Sequence, residues 1–337
     1  MGQLVNGQWQ TQTLIPKSED GQFHRKPTSF RHWITTDGSA GPEGKAGFQA
    51  EAGRYHLYVA SACPWAHRAL IFRKLKGLEP MISVSVVNPL MLDYGWSFEP
   101  GYKVSADPIQ QAEYLHQIYT AADLDYTGRV SVPVLWDRKH HTIVSNESAD
   151  IIRMFNQAFD EIGAKPGNYY PATLRSAIDS INDRVYRAIN NGVYKAGFAT
   201  TQQAYESAVL ALFEALDELE LLLDAQRYLC GRRITEADWR LFTTLIRFDS
   251  VYVGHFKCNL RRIEDYPNLS NYLRELYQWP GIAETVDFHA IKLHYYGSHA
   301  QLNPSGVMPI GPALDFHRPH DRDRLETVED SDNESFS

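Results

Sequence analysis

The chain has 337 residues, about twice a typical domain, so two domains are expected. Its 43% hydrophobic and 22% charged residues exclude wholesale disorder, a collagen-like repeat and a disulfide scaffold. The net charge of -8 excludes a nucleic-acid binder that works through a general basic field.

Residues 1–50 are rich in Gly, Ser, Thr and charge with no sustained period, and read as an irregular N-terminal extension whose Trp9, Phe23, Phe30 and Trp33 pack onto something. The opening MGQLVNGQWQ has neither a basic n-region nor an apolar h-region. No apolar run approaches the ~18 residues of a membrane span, so a cytoplasmic location without a membrane partner is expected. From Tyr55, YHLYVA predicts a strand, PWAHRALIFRKLKG a helix closed by Gly77, and MISVSVV a second strand. In the roughly 40 residues that follow, only QQAEYLHQIYTAA reads as helix. VSVPVLWD and HTIVS, split by Asp137–His140, predict a hairpin, and SNESADIIRMFNQAF a helix. The order β-α-β, helix, β-β-α is that of a thioredoxin-like domain, spanning 51–165. Residues 166–288 are helical almost throughout, with Thr235 and Asp238 as an approximate capping box and Ile234 and Trp239 at the staple positions. A C-terminal extension, 289–317, leads to residues 318–337, whose three Arg against seven acids predict a disordered acidic tail. The fold class is therefore α/β plus all-α. Arg68, Arg73, Lys74 and Lys76 on the first helix read as a solvated face.

The cysteines Cys63, Cys230 and Cys258 are irregularly spaced and build neither a disulfide framework nor a four-ligand zinc site. His289, His294 and His299 recur every fifth residue, which does not stack them on one helical face, and no metal is expected. Cys63 stands apart. In Ser61-Ala62-Cys63-Pro64-Trp65-Ala66 it lies between a strand and a helix, and Pro64 suits the first helical position. The sulfur then sits near free amide N–H groups and the positive end of the helix dipole, which favour the thiolate; His67 and Arg68 would add positive charge. A dithiol oxidoreductase would place a second Cys where Ala66 stands, and Cys230 and Cys258 read as packed thiols. The chemistry thus needs an external thiol, most simply glutathione. Val132-Pro133 opens a strand; if that peptide bond is cis, the N–H and C=O of Val132 are open to the backbone of a peptide thiol. Glu147 and Ser148 follow a strand and open a helix, which suits an amino-acid head group such as the γ-glutamyl end of glutathione and equally suits an N-cap. The 12% aromatic content includes 19 Tyr, more phenols than a core needs, so some are expected to line a site.

Several of these segments together carry a family resemblance. Cys63-Pro64-Trp65-Ala66, the run from Ser83 to Pro89, Trp96, Val132-Pro133-Val134-Leu135-Trp136-Asp137, Ser145-Asn146-Glu147-Ser148, the run Asn190 to Phe198, and Val251-Tyr252-Val253 with His255-Phe256-Lys257 resemble the glutathionyl-hydroquinone reductases, the Xi class of glutathione transferases. The resemblance runs from Met1 to about Pro312 and implies the glutathione transferase fold, a homodimer, and two partners, glutathione and a glutathionyl-hydroquinone. It further implies that Cys63 attacks the conjugate sulfur, and that Trp96, Arg129, Val132, Glu147 and Ser148 hold glutathione. By the same resemblance Tyr194, Tyr252 and Tyr295 are substrate-site tyrosines that act on the hydroquinone. Two other readings use the same sequence: a general glutathione-dependent thiol transferase or dehydroascorbate reductase, and a non-catalytic transferase-fold interaction module.

Overall fold

A computed structural model describes residues 2–11 and 18–325. The chain divides into two units, Met1–Asn168 with Gly281–Gly311, and Tyr169–Pro280 with Pro312–Ser337.

The first unit opens with a hairpin of β1 (Gly2–Val5) and β2 (Gln8–Thr11), where an irregular segment was expected. Its turn is Asn6-Gly7, with φ of 48° and 71°, the pair that a tight turn between twisted strands demands. Leu4 exchanges backbone hydrogen bonds with Gly128 at 2.9 and 3.0 Å and is fully buried, which ties a hairpin too short to stand alone to the rest of the unit. β3 (Tyr55–Val59), α1 (Pro64–Leu75), β4 (Ser83–Val86), α2 (Leu115–Ala122), β5 (Val134–Asp137), β6 (Thr142–Ser145) and α3 (Ser148–Gln157) follow in the thioredoxin-like order. The sheet order is β4-β3-β5-β6, with β3 parallel to β4 and antiparallel to β5. The free edge of β6 is covered by residues 30–32: His32 N–H donates to Val144 O at 2.9 Å and Asn146 N–H to Phe30 O at 3.2 Å.

The basic face of α1 is solvated only in part, with Lys74 32% exposed at its side chain. Arg68 and Lys76 are buried, and each of the four cations finds partners: Arg68 the Trp65 ring, Arg73 the carbonyls of Glu79 and Ile82, Lys74 the carboxylates of Glu79 and Glu284, and Lys76 the Asp160 carboxylate and Gly167 O. The charge pattern along the helix missed this because long cationic side chains reach carbonyls that only folding brings near.

The second unit is helical: α4 (Arg175–Val185), α5 (Gly192–Gly197), α6 (Gln202–Ala225), α7 (Glu236–Arg247), α8 (Val253–His255) and α9 (Pro267–Gln278). Two π turns, Tyr186–Asn190 and Phe248–Tyr252, interrupt it. The capping box at Thr235 forms, with the Thr235 N–H donating to Asp238 Oδ2 at 2.7 Å. The expected disordered tail starts too early at residue 318. Arg322 is fully buried and donates to the carbonyls of Leu223, Gln226 and Arg227, so residues up to 325 are clamped to this unit; 326–337 lie outside the described residues. A tally of charge cannot see that helix-terminal carbonyls offer a buried guanidinium its acceptors.

Residues 281–311, including α10 (Phe288–Ser298), belong to the first unit, so 281–288 depart from the helical domain to which the sequence reading gave them. His67 pairs with Thr285 at 2.8 Å and Lys74 with Glu284 at 2.7 Å, fixing this segment to α1. Among the described residues no helix is long and apolar enough to cross a membrane.

Candidate active site

Cys63 is the N-cap of α1, with Pro64 in the first turn and β-region backbone angles, φ -76° and ψ 123°. It is 9% exposed, and its Sγ lies 3.6 Å from Val132 O. The Val132-Pro133 peptide bond is cis. The strand-to-helix turn thus delivers the sulfur to the first turn of a helix, where the amide N–H groups of the helix start and the dipole favour an anion. Of the two cations expected beside it, His67 is buried and bonded to Thr285, whereas Arg68 lies over the Trp65 ring at 4.6 Å and reaches Ser148 Oγ at 3.4 Å. The other thiols are unsuited to anionic chemistry. Burial, aided by Asp238, pushes Cys230 up to about 11, and burial pushes fully enclosed Cys258 higher still.

Glu147 is the N-cap of α3, and Ser148 is its first residue. Glu147 accepts from Ala149 N–H at 3.0 Å and from Thr28 Oγ at 3.1 Å, so capping is a role it does fill; each carboxylate oxygen retains a further lone pair. The loops bearing Val132 and Glu147 meet at one phenol. Tyr119 OH donates to Ser131 O at 2.8 Å and accepts from Ser131 N–H at 3.2 Å and Asn146 Nδ2 at 3.1 Å.

Trp96 is 5% exposed and its indole stacks on the His294 imidazole, with centroids 4.9 Å apart and planes 23° apart. His294 Nδ1 lies 2.9 Å from Pro89 O, a pure acceptor, so that nitrogen carries the proton. His294 and His299 rings touch edge to face at 5.4 Å, despite their five-residue spacing, because the helix ends at Ser298. Arg129 and Arg25 both lie over the Phe23 ring, at 5.8 and 5.3 Å, and Arg25 also lies over Trp65 at 4.9 Å. Arg129 is an exposed residue, yet desolvation by the surrounding protein and then the charge of Arg25 lower its pKa. Two cations sharing one ring make a place for an anion. The sequence reading missed Phe23, Arg25 and Tyr119; only the first two carried any signal, as an aromatic and a cation two residues apart in a segment with no period.

Tyr295, 1% exposed on α10, meets His294 edge to face at 5.1 Å. In the helical unit Tyr194 and Tyr252 come together, with centroids 6.3 Å apart, around Phe256, which stacks on Tyr252 at 5.4 Å and meets Tyr194 edge-on at 5.5 Å. Both follow or end a π turn, a distortion that re-aims side chains and recurs at functional sites.

A thioredoxin-like sheet with a Cys at a helix N-cap position beside a cis proline, joined in sequence to an all-helical unit, defines a glutathione transferase. Residues 62–158 match the glutathione S-transferase N-terminal domain family and 202–275 the C-terminal domain family. The chain belongs to the Xi class of these enzymes, the family of glutathionyl-hydroquinone reductases. It is 58% identical to glutathionyl-hydroquinone reductase YqjG of Escherichia coli, over 96% of this chain and 99% of that one. Against glutathionyl-hydroquinone reductase PcpF of Sphingobium chlorophenolicum it is 54% identical, covering 93% and 97%. The glutathione-bound structure of YqjG aligns with a TM-score of 0.88 over 95% and 99% of the two chains at 57% identity, and the Xi-class transferase of Natrialba magadii with 0.89 over 97% and 98% at 48%.

Proposed function

We propose that this chain reduces glutathionyl-hydroquinones to hydroquinones with glutathione as co-substrate. The observation that carries the reading is Cys63 at the start of α1 with its sulfur 3.6 Å from the carbonyl of Val132. A thiolate there can attack the sulfur of a conjugate whose peptide backbone pairs with Val132. The hydroquinone first shifts to a keto form, which moves a hydroxyl proton onto the ring carbon bearing sulfur; when the C–S bond breaks, its electron pair passes into the adjacent carbonyl as an enolate, whose oxygen takes up a proton to give the hydroquinone. Cys63 gains an S–S bond to glutathione and hydroquinone leaves. A second glutathione thiolate attacks that disulfide, releasing oxidised glutathione and restoring the Cys63 thiolate. One conjugate and one glutathione become one hydroquinone and one oxidised glutathione, which balances atoms and electrons.

In this reading Glu147 and Ser148 receive the γ-glutamyl end, Trp96 lies against the tripeptide, and Arg129, joined by Arg25, supplies the charge that a carboxylate needs. Tyr194, Tyr252 and Tyr295 are the hydroxyl groups offered to the hydroquinone oxygens, where a phenol can donate or accept and so favour the keto form. The acting form is a cytoplasmic homodimer that uses no metal. Turnover of glutathionyl-menadiol by the wild-type protein and Cys63→Ser tests it. Loss of menadiol release to the background rate is expected, whereas a normal rate with Ser, or faster turnover of dehydroascorbate than of the conjugate, would overturn it.

A further inference from the structure

We propose that Tyr119 is a positioning residue that holds Val132 and Glu147 in register for glutathione. This rests on the reading that those two residues bind glutathione. Tyr119 projects from α2, outside both of the loops that carry them, and is fully buried. A phenol has one donor and two acceptor positions, and here all are used: the donor on Ser131 O at 2.8 Å, the acceptors by Ser131 N–H at 3.2 Å and Asn146 Nδ2 at 3.1 Å. Ser131 precedes Val132 and Asn146 precedes Glu147, so one oxygen ties the backbone next to Val132 to the side-chain amide next to Glu147. Phe30 N–H fixes the other end of the Asn146 amide by donating to Oδ1 at 3.2 Å, and the Phe30 and Tyr126 rings, at 5.8 and 5.1 Å, hold the phenol in place. Phenylalanine fills the same volume but leaves the Ser131 N–H, the Ser131 carbonyl and one Asn146 N–H without their buried partner, so the two loops are released from each other.

The test is steady-state kinetics on Tyr119→Phe, Glu147→Gln and their double variant, each assayed well below its unfolding temperature. Tyr119→Phe should raise KM for glutathione and for glutathionyl-menadiol about tenfold while kcat stays within about twofold, since binding geometry and not the thiolate is disturbed. The double variant should lose less than the product of the single losses, because Glu147 is already displaced. A lowered unfolding temperature with unchanged KM, or strictly multiplicative losses, overturns the positioning role while leaving the function intact. An unchanged KM in Glu147→Gln overturns the assignment of Glu147 and this inference with it. If Tyr119→Phe does not fold, Asn146→Ala, which cuts one of the same links, is held to the same criteria.

Discussion

Cys63, the proposed nucleophile, would draw its reactivity from the backbone at the start of α1, since no side-chain hydrogen bond caps that helix and His67 is bonded to Thr285. That much was readable, because strand, Cys, Pro and helix are local in sequence. Of the charge near it, Arg129 and Arg68 were named from the sequence, but the contribution of Arg25 was not readable. Arg25 lies 104 positions before Arg129, yet both guanidinium groups converge on Phe23. If they receive a carboxylate of glutathione, Arg25→Ala raises KM for glutathione several-fold, to about tenfold, with kcat little changed, and the increase shrinks in high salt as screening takes over. An unchanged KM at low salt would separate Arg25 from binding. Cys230 and Cys258 behave as the spacing suggested, packed thiols raised by burial.

At the scale of elements, the strands and helices around the site were legible wherever hydrophobic period and turn signals agreed, as at β3, α1 and the hairpin of β5 and β6. They failed where an element depends on its dock. The hairpin of β1 and β2 announces itself only by Asn6-Gly7, and its two four-residue strands persist through Leu4 on Gly128. In the helical unit, α5 carries a close approach that a sequence cannot show. A Cβ on Gly197 would stand 2.2 Å from the Phe256 ring, which packs against both Tyr194 and Tyr252. Overpacking costs about 1–3 kcal/mol, and the better helix propensity of alanine returns at most about 1 kcal/mol. Gly197→Ala is therefore expected to lower the unfolding temperature and to reduce kcat for the hydroquinone conjugate more than it raises KM for glutathione. Full stability and full kcat would remove Phe256 from the support of these tyrosines.

For the whole molecule, overall acidity says little about the site. The acidic end is partly structural through Arg322, and Arg68 and Lys76 at α1 are buried in contacts within the fold. Acid sensitivity is set in part by His56. It lies on β3 between Ser83 Oγ at 2.7 Å and Ser85 Oγ at 3.0 Å, and burial, then the charge of Arg138, lower it to about 4. The unfolded chain takes up this proton near pH 6.5 and the folded chain only near pH 4, so the contribution is complete above the former and lost as pH falls to the latter. Wild-type stability from urea titrations should fall by on the order of 3 kcal/mol more than that of His56→Gln across this window. Parallel pH profiles would show that His56 titrates normally.

The central claim is that the conjugate's sulfur passes to Cys63, and mass spectrometry of a single turnover tests it most directly. Protein mixed with glutathionyl-menadiol, with no free glutathione present, should release menadiol in step with a glutathione adduct that peptide mapping places on Cys63. Added glutathione should then remove the adduct as oxidised glutathione. Menadiol release with no adduct on Cys63, or with the adduct on Cys230 or Cys258, would contradict the account.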